Sequence, residues 1–314
     1  MKYLKKTYKA GNTIEVQKTY SAVWGRSLTK AGKTGKSRLS VQQYNDRVAV
    51  RNCTRSINAN FKPKDLFLAL TYRRGSKITP EEAQKHREKF LRKLRRYFFR
   101  QGEELHYIGT IGVGERGAIH HHIIIDSMDP RELQQFWPYG RVDCQPLHED
   151  GEYSKLAAYI CHQNREYKGQ KIGGKRWYCS KNLIKPQAFV EEVSAKEWRE
   201  PPQPVKGYII DPDSIEAGYN PVTGIPYLFY RMIKIPPKSR VIAPDGTILK
   251  ADAAEKWLCE RSKEEIKAYH KAGRWRRSTL NPRSVAFPLM KGRGVYAIQP
   301  GTTKGAGIEC PTGR

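Results

Sequence analysis

Acidic residues are scarce in this chain of 314 residues: 31 Asp and Glu stand against 58 Lys and Arg, a formal net charge of +27 with histidine neutral. An imbalance of that size argues against a cationic partner and suits a polyanion with phosphate on its backbone. Cysteine is sparse too. The six, at 53, 144, 161, 179, 259 and 310, show neither a Cys-x-x-Cys pair nor a regular spacing, which excludes a disulfide framework and points to reduced thiols. No apolar run is long enough to span a membrane, and the Lys-rich start has no signal-peptide core. A soluble, cytoplasmic protein without a membrane partner is expected. What the chain does have, besides charge, is aromatic rings: 18 Tyr and 6 Trp interleaved with the basic residues, a mixture suited to stacking on unpaired bases.

The length allows one packed domain with extensions. Residues 1–60 hold thirteen Lys or Arg and only Glu15 and Asp46 as acids, and are read as a basic N-terminal arm with a helix over 40–58. Ala31 to Ser37 imitates a phosphate-binding loop, but Lys30 stands where the first Gly is required and no apolar strand precedes it. A flexible basic linker is the better reading. Leu66 to Tyr72 reads as a buried strand. A helix follows, with Thr79 as N-cap, Pro80 at its first position and Glu82 closing a capping box. Its apolar stripe is Ala83, Phe90, Leu91, Leu94, Tyr97 and Phe98, and Lys85, Lys89, Arg92 and Lys93 crowd the rest as candidate DNA-phosphate contacts.

Strands are expected at His106–Ile111 and Ala118–Ile125, joined by a loop through Gly112, Gly114 and Gly117. A helix near Arg131–Trp137, a short strand near Gly140–Cys144 and a helix over Ser154–Tyr167 complete an α+β core at 61–200, a central antiparallel sheet with flanking helices. Strands at 208–211 and 227–235, around a turn at Asn220-Pro221, are expected to extend that core within 201–235. Residues 236–314 read as a C-terminal extension, with a helix over 251–272 and a basic tail from Gly273.

The stretch Ile119-His120-His121-His122-Ile123-Ile124-Ile125 carries the strongest chemical signal, since a strand that is nearly all Ile has no packing reason for histidines. Alternation puts His120 and His122 side by side on one face and His121 with Ile123 and Ile125 on the other. Two neutral imidazoles so placed are half of a metal site.

Leu68-Ala69-Leu70-Thr71-Tyr72, His120 to Ile125 and Leu156-Ala157-Ala158-Tyr159-Ile160-Cys161-His162-Gln163 together, in this order, resemble the three motifs of rolling-circle replication initiators of the HUH endonuclease superfamily. The chain looks most like Rep-type proteins of bacterial plasmids, phages and integrated elements, and the resemblance covers about residues 40–235. It implies a ferredoxin-like, RRM-like nuclease core in which His120 and His122 bind Mg²⁺ or Mn²⁺ and Tyr159 attacks DNA. Imidazole ligands suit Mn²⁺ better than Mg²⁺, so DNA oxygens and water would complete the set. The product would be a 5′-phosphotyrosyl link with a free 3′-hydroxyl primer, later rejoined.

Two departures from the family pattern stand out. The Lys usual three residues after the tyrosine is here His162, with Lys155 or Arg165 as alternative phosphate donors. No carboxylate occupies the usual place upstream of the histidines, which leaves Glu115 or Gln163 as candidates for a third ligand. Tyr153, six residues before Tyr159, faces another side of the helix, so a single nucleophile is expected. The implied partners are single-stranded or cruciform origin DNA, with host helicase and polymerase as further candidates, in the cytoplasm of a bacterial or phage-infected cell. An HUH transposase or relaxase would use the same chemistry. A noncatalytic single-stranded DNA- or RNA-binding protein is the alternative of a different class.

Overall fold

The computed structural model describes residues 2–21, 39–148, 151–172, 175–219, 226–235, 240–242 and 248–250, with 256, 260 and 264. In chain order, β1 (Lys2–Ala10) and β2 (Thr13–Ser21) precede α1 (Leu39–Asn60), β3 (Leu66–Thr71), α2 (Pro80–Arg100), β4 (Tyr107–Val113) and β5 (Ile119–Ile125). Then come α3 (Pro130–Phe136), β6 (Val142–Pro146), α4 (Ser154–Cys161), β7 (Glu166–Tyr167), β8 (Gln170–Lys171), β9 (Tyr178–Cys179) and β10 (Phe189–Val193). The last are α5 (Ala195–Arg199), β11 (Tyr208–Tyr219), β12 (Pro226–Lys234), β13 (Arg240–Ile242) and β14 (Ile248–Lys250). The class is α+β, with two antiparallel five-stranded sheets.

The sheet that carries the histidines has the strand order β6-β3-β5-β4-β9. Its central strand, β5, is covered on both faces, which is why its sequence is apolar almost throughout: Ile123, Ile124 and Ile125 are fully buried, each worth about 1.5–3 kcal/mol. On the His121 face, Phe90, Leu91, Leu94 and Phe98 of α2 and Leu133 of α3 pack against Leu66, Leu68, Leu70, Ile123 and Ile125. On the His120 and His122 face, Cys53 and Ile57 of α1 and Ala157 and Ile160 of α4 pack against Ile108 and Ile124. The expected capping box is present: Thr79 Oγ1 accepts from the Glu82 amide, and the Glu82 carboxylate accepts from the Thr79 amide.

The first twenty residues are no arm. They form a hairpin in the second sheet, whose strand order is β10-β1-β2-β12-β11. Its turn is Gly11-Asn12, with Gly11 at φ 54, and a Cβ there would lie 2.0 Å from the Asn58 carbonyl oxygen of α1. Helix α1 is therefore sandwiched. Its Arg51, Arg55 and Asn58 reach Glu216, Glu15 and Thr13 of the second sheet, while Cys53 and Ile57 face the histidine sheet. The strands expected to extend the core belong instead to this second sheet, because buried Phe229 and Arg231 of β12 meet Arg51 and Glu15 rather than an edge of the histidine sheet.

The chain divides into two compact units, residues 1–198 with 216–231, and residues 199–215 with 232–314. Within the second, β13 and β14 pair antiparallel, and the Ile235 amide donates to the Gly207 carbonyl at 2.9 Å. The phosphate-loop imitation, the turn at Asn220-Pro221 and the basic tail lie outside the described residues, as does the 251–272 helix except for helical positions 256, 260 and 264.

Candidate functional site

Strand register assembles the site. Antiparallel pairing sets His120 opposite Thr71 and Gly112, and His122 opposite Ala69 and Thr110, so these side chains share one face with Phe67. His121 points to the other face, fully buried, with its Nε2 3.3 Å from the Tyr72 hydroxyl. The alternation read from sequence is the arrangement seen.

His120 and His122 lie with ring centroids 4.9 Å apart. Phe67 stacks on His122 at 5.4 Å with an interplanar angle of 11°. Burial, then the neighbouring His120, pushes the His122 pKa down to about 4, so the ring is neutral near pH 7. Its Nε2 is 2.9 Å from the Tyr159 hydroxyl, and its Nδ1 is buried without a hydrogen-bond partner. With the phenol donating, the ring proton sits on Nδ1. Tyr159 itself is 46% exposed, so its oxygen is open to a substrate while its ring leans against His122 and Phe67.

Gln163 comes to the same place. Its amide Nε2 donates to the Tyr159 carbonyl at 3.1 Å, which turns Oε1 toward His120 Nε2 at 3.3 Å. On its other side, His120 Nδ1 faces the Ala118 carbonyl at 3.4 Å. Each ring nitrogen of His120 thus faces an oxygen lone pair, yet a neutral imidazole has one proton. One of the two contacts sets lone pair against lone pair, which a bound cation between them would relieve. The donor set of two imidazoles and an amide oxygen fits a divalent ion with several open positions. Among the described residues no group of three or more His, Cys, Asp or Glu is placed to hold a metal.

Other candidates fall elsewhere. Glu115 is exposed at the tip of the β4–β5 hairpin. The helix expected to reach Tyr167 ends at Cys161, because the Val113 amide captures the Asn164 carbonyl at 2.7 Å and draws the chain onto β4. His162, at the C-cap, is exposed and makes only a backbone bond to Ala158 among the contacts seen. Lys155 is exposed one turn before Tyr159, while the Arg165 guanidinium is tied to the Lys175 carbonyl. Tyr153 is buried and donates its hydroxyl to the His148 carbonyl at 3.0 Å. Lys85, Lys89, Arg92 and Lys93 are exposed on α2, in the layer on the opposite face of the sheet from Tyr159.

Sequence reasoning missed three supports. Phe67 reads as core but props His122. Gly112 reads as a hairpin glycine, but it lies inside β4, and a Cβ there would meet His120 Nε2 at 2.5 Å and Gln163 Oε1 at 2.8 Å. The start of α4 is pinned by polar contacts between distant segments. The Tyr153 amide donates to Asn58 Oδ1 at 3.0 Å, and the Glu152 carboxylate accepts from Ser154 and from Arg231 Nη1, each at 2.9 Å. Arg231 in turn donates to Glu15, which also accepts from Arg55 Nε at 2.5 Å. No local pattern foreshadows such pairs.

Residues 65–164 match a family model described as replication-associated protein of the ORF2 type. The matched segment starts one residue before β3 and ends one residue past Gln163, so it holds all three motifs. It supports a replication-associated, DNA-binding protein. No curated protein and no solved structure matches the chain.

Proposed function

We propose, with residues 65–164 taken as a replication-associated segment, that the chain is a rolling-circle initiator that nicks single-stranded origin DNA through Tyr159. The observation that carries this reading is the 2.9 Å contact between the Tyr159 hydroxyl and His122 Nε2 on a ring that is half exposed. A buried core tyrosine needs no such opening.

In the proposed step Tyr159 Oη bonds to the scissile phosphorus and the bond from phosphorus to the 3′ oxygen breaks. The phenol proton leaves to solvent along the exposed side of the ring, and the departing oxygen takes up a proton to become a 3′-hydroxyl. One phosphodiester replaces another, so the reverse attack by a 3′-hydroxyl rejoins the strand. His122, kept neutral by burial, fixes the direction of the phenol. Phe67 fixes His122. Gln163, anchored on the Tyr159 carbonyl, ties the histidine strand to the tyrosine helix. His120, His122 and the Gln163 amide oxygen would hold Mn²⁺ or Mg²⁺, which supplies Lewis-acid stabilisation of charge on the phosphate oxygens.

The test is incubation of the full chain with labelled single-stranded DNA and Mn²⁺, followed by a denaturing gel. A covalent protein–DNA band that chelator removes, and that Tyr159→Phe lacks while still binding DNA, is expected. DNA binding without any such band would leave a single-strand-binding protein as the better account.

A further inference from the structure

A groove of about 540 Å³ opens beside Tyr159, between the edge strand β6 and helix α4. Tyr159, Phe67 and Leu156 form apolar walls, Gln145 and His148 stand at the edge strand, and Lys155 is on the helix side. Gln145 pairs with Phe67 across β6 and β3, so it shares the face that carries His120 and His122. The side chains of Gln145, His148 and Lys155 are all exposed.

We propose that this groove holds one unpaired base of the bound DNA strand, the base of a nucleotide next to the phosphate that Tyr159 attacks. The inference rests on the nicking reading for the strand's position, but the groove's chemistry speaks for its occupant. Flat apolar and aromatic walls accept the π-face of any base, and such stacking contributes on the order of tenfold or more in affinity. Polar groups at one edge, here the Gln145 amide and the His148 imidazole, match the donors and acceptors on a base's rim. An ammonium on the other side matches the adjoining phosphate. The volume falls within the usual range for small-ligand sites. A free metabolite would meet the same walls, but the +27 charge and the shared wall at Tyr159 favour a nucleotide already tethered in a strand.

The experiment needs no knowledge of the origin sequence. Fluorescently labelled strands of about 15 nucleotides, made wholly of abasic sugar-phosphate or carrying one A, C, G or T at the centre, are titrated with the full-length protein. At least one base is expected to raise affinity about tenfold over the all-abasic strand. Leu156→Ala should remove most of that gain, and Gln145→Leu, on an exposed strand position, should level the differences between the four bases. Both should bind the all-abasic strand as the natural chain does. No gain from any base, or a gain that both variants leave intact, overturns the proposal. Because binding is read without cleavage, absence of a covalent band on the denaturing gel would count against the nicking reading and leave the groove standing.

Discussion

Histidines two apart on a buried strand divide their work by face. Replacing His120 or His122 with Ala should lower Mn²⁺-dependent nicking on the order of a hundredfold or more, because a divalent cation's charge stabilisation is worth several kcal/mol. His121→Ala should nick normally and lose stability instead, about 1–3 kcal/mol by denaturant titration, since its ring is fully buried among Tyr72 and Trp137. Equal losses of activity in all three would contradict the assignment. Gly112→Ala is a sharper probe. Its Cβ meets only the ends of the His120 and Gln163 side chains, so the fold should tolerate it while the site shifts. Near-natural melting with nicking reduced at least about tenfold is expected from a displacement of that kind. This face was legible in the sequence because strand alternation is a local rule. The role of Gln163 was not, since its approach to His120 depends on where α4 stops, and that is decided by the Val113–Asn164 hydrogen bond between segments far apart in the chain.

Helix α4 offers eight residues and no side-chain N-cap bond of its own, so its position is set by what grips its first turn. Glu15 lies at the root of that grip, 1% exposed and paired with both Arg55 and Arg231, the latter of which also holds Glu152 beside the start of α4. Glu15→Ala would leave two buried guanidiniums short of a counter-charge and should cost about 3–5 kcal/mol in chemical denaturation. A loss below about 1 kcal/mol would show that the network is incidental. The same buried charges explain why the hairpin of β1 and β2 escaped recognition: Glu15 and Lys18 point inward, which spoils the apolar–polar alternation that marks a strand. The Gly11-Asn12 turn was the available clue, and it is the kind of dipeptide that closes a two-residue hairpin loop. By contrast α2, with its capping box and regular stripe, was readable to within a residue of its observed ends.

At the scale of the whole molecule, the excess of positive charge is not concentrated on the catalytic face. The exposed Lys85, Lys89, Arg92 and Lys93 stand on α2, across the sheet from Tyr159. If they hold phosphates of a strand that wraps around the core, neutralising all four should flatten the salt dependence of single-strand binding by about 0.7 in slope for each phosphate no longer neutralised. The rate of nicking at saturating DNA should not change. An unchanged slope would make that surface merely solvated. Composition announced a polyanionic partner but could not say which face meets it, because charge is additive along the sequence and its distribution over faces is decided by packing. The central claim remains the identity of one attacking oxygen, and the most direct measurement is peptide mapping by mass spectrometry of the covalent product formed with single-stranded DNA and Mn²⁺. A single nucleotide-bearing peptide with the phosphate on Tyr159 is the result expected, and phosphate on Tyr153 or on any other residue would contradict the account.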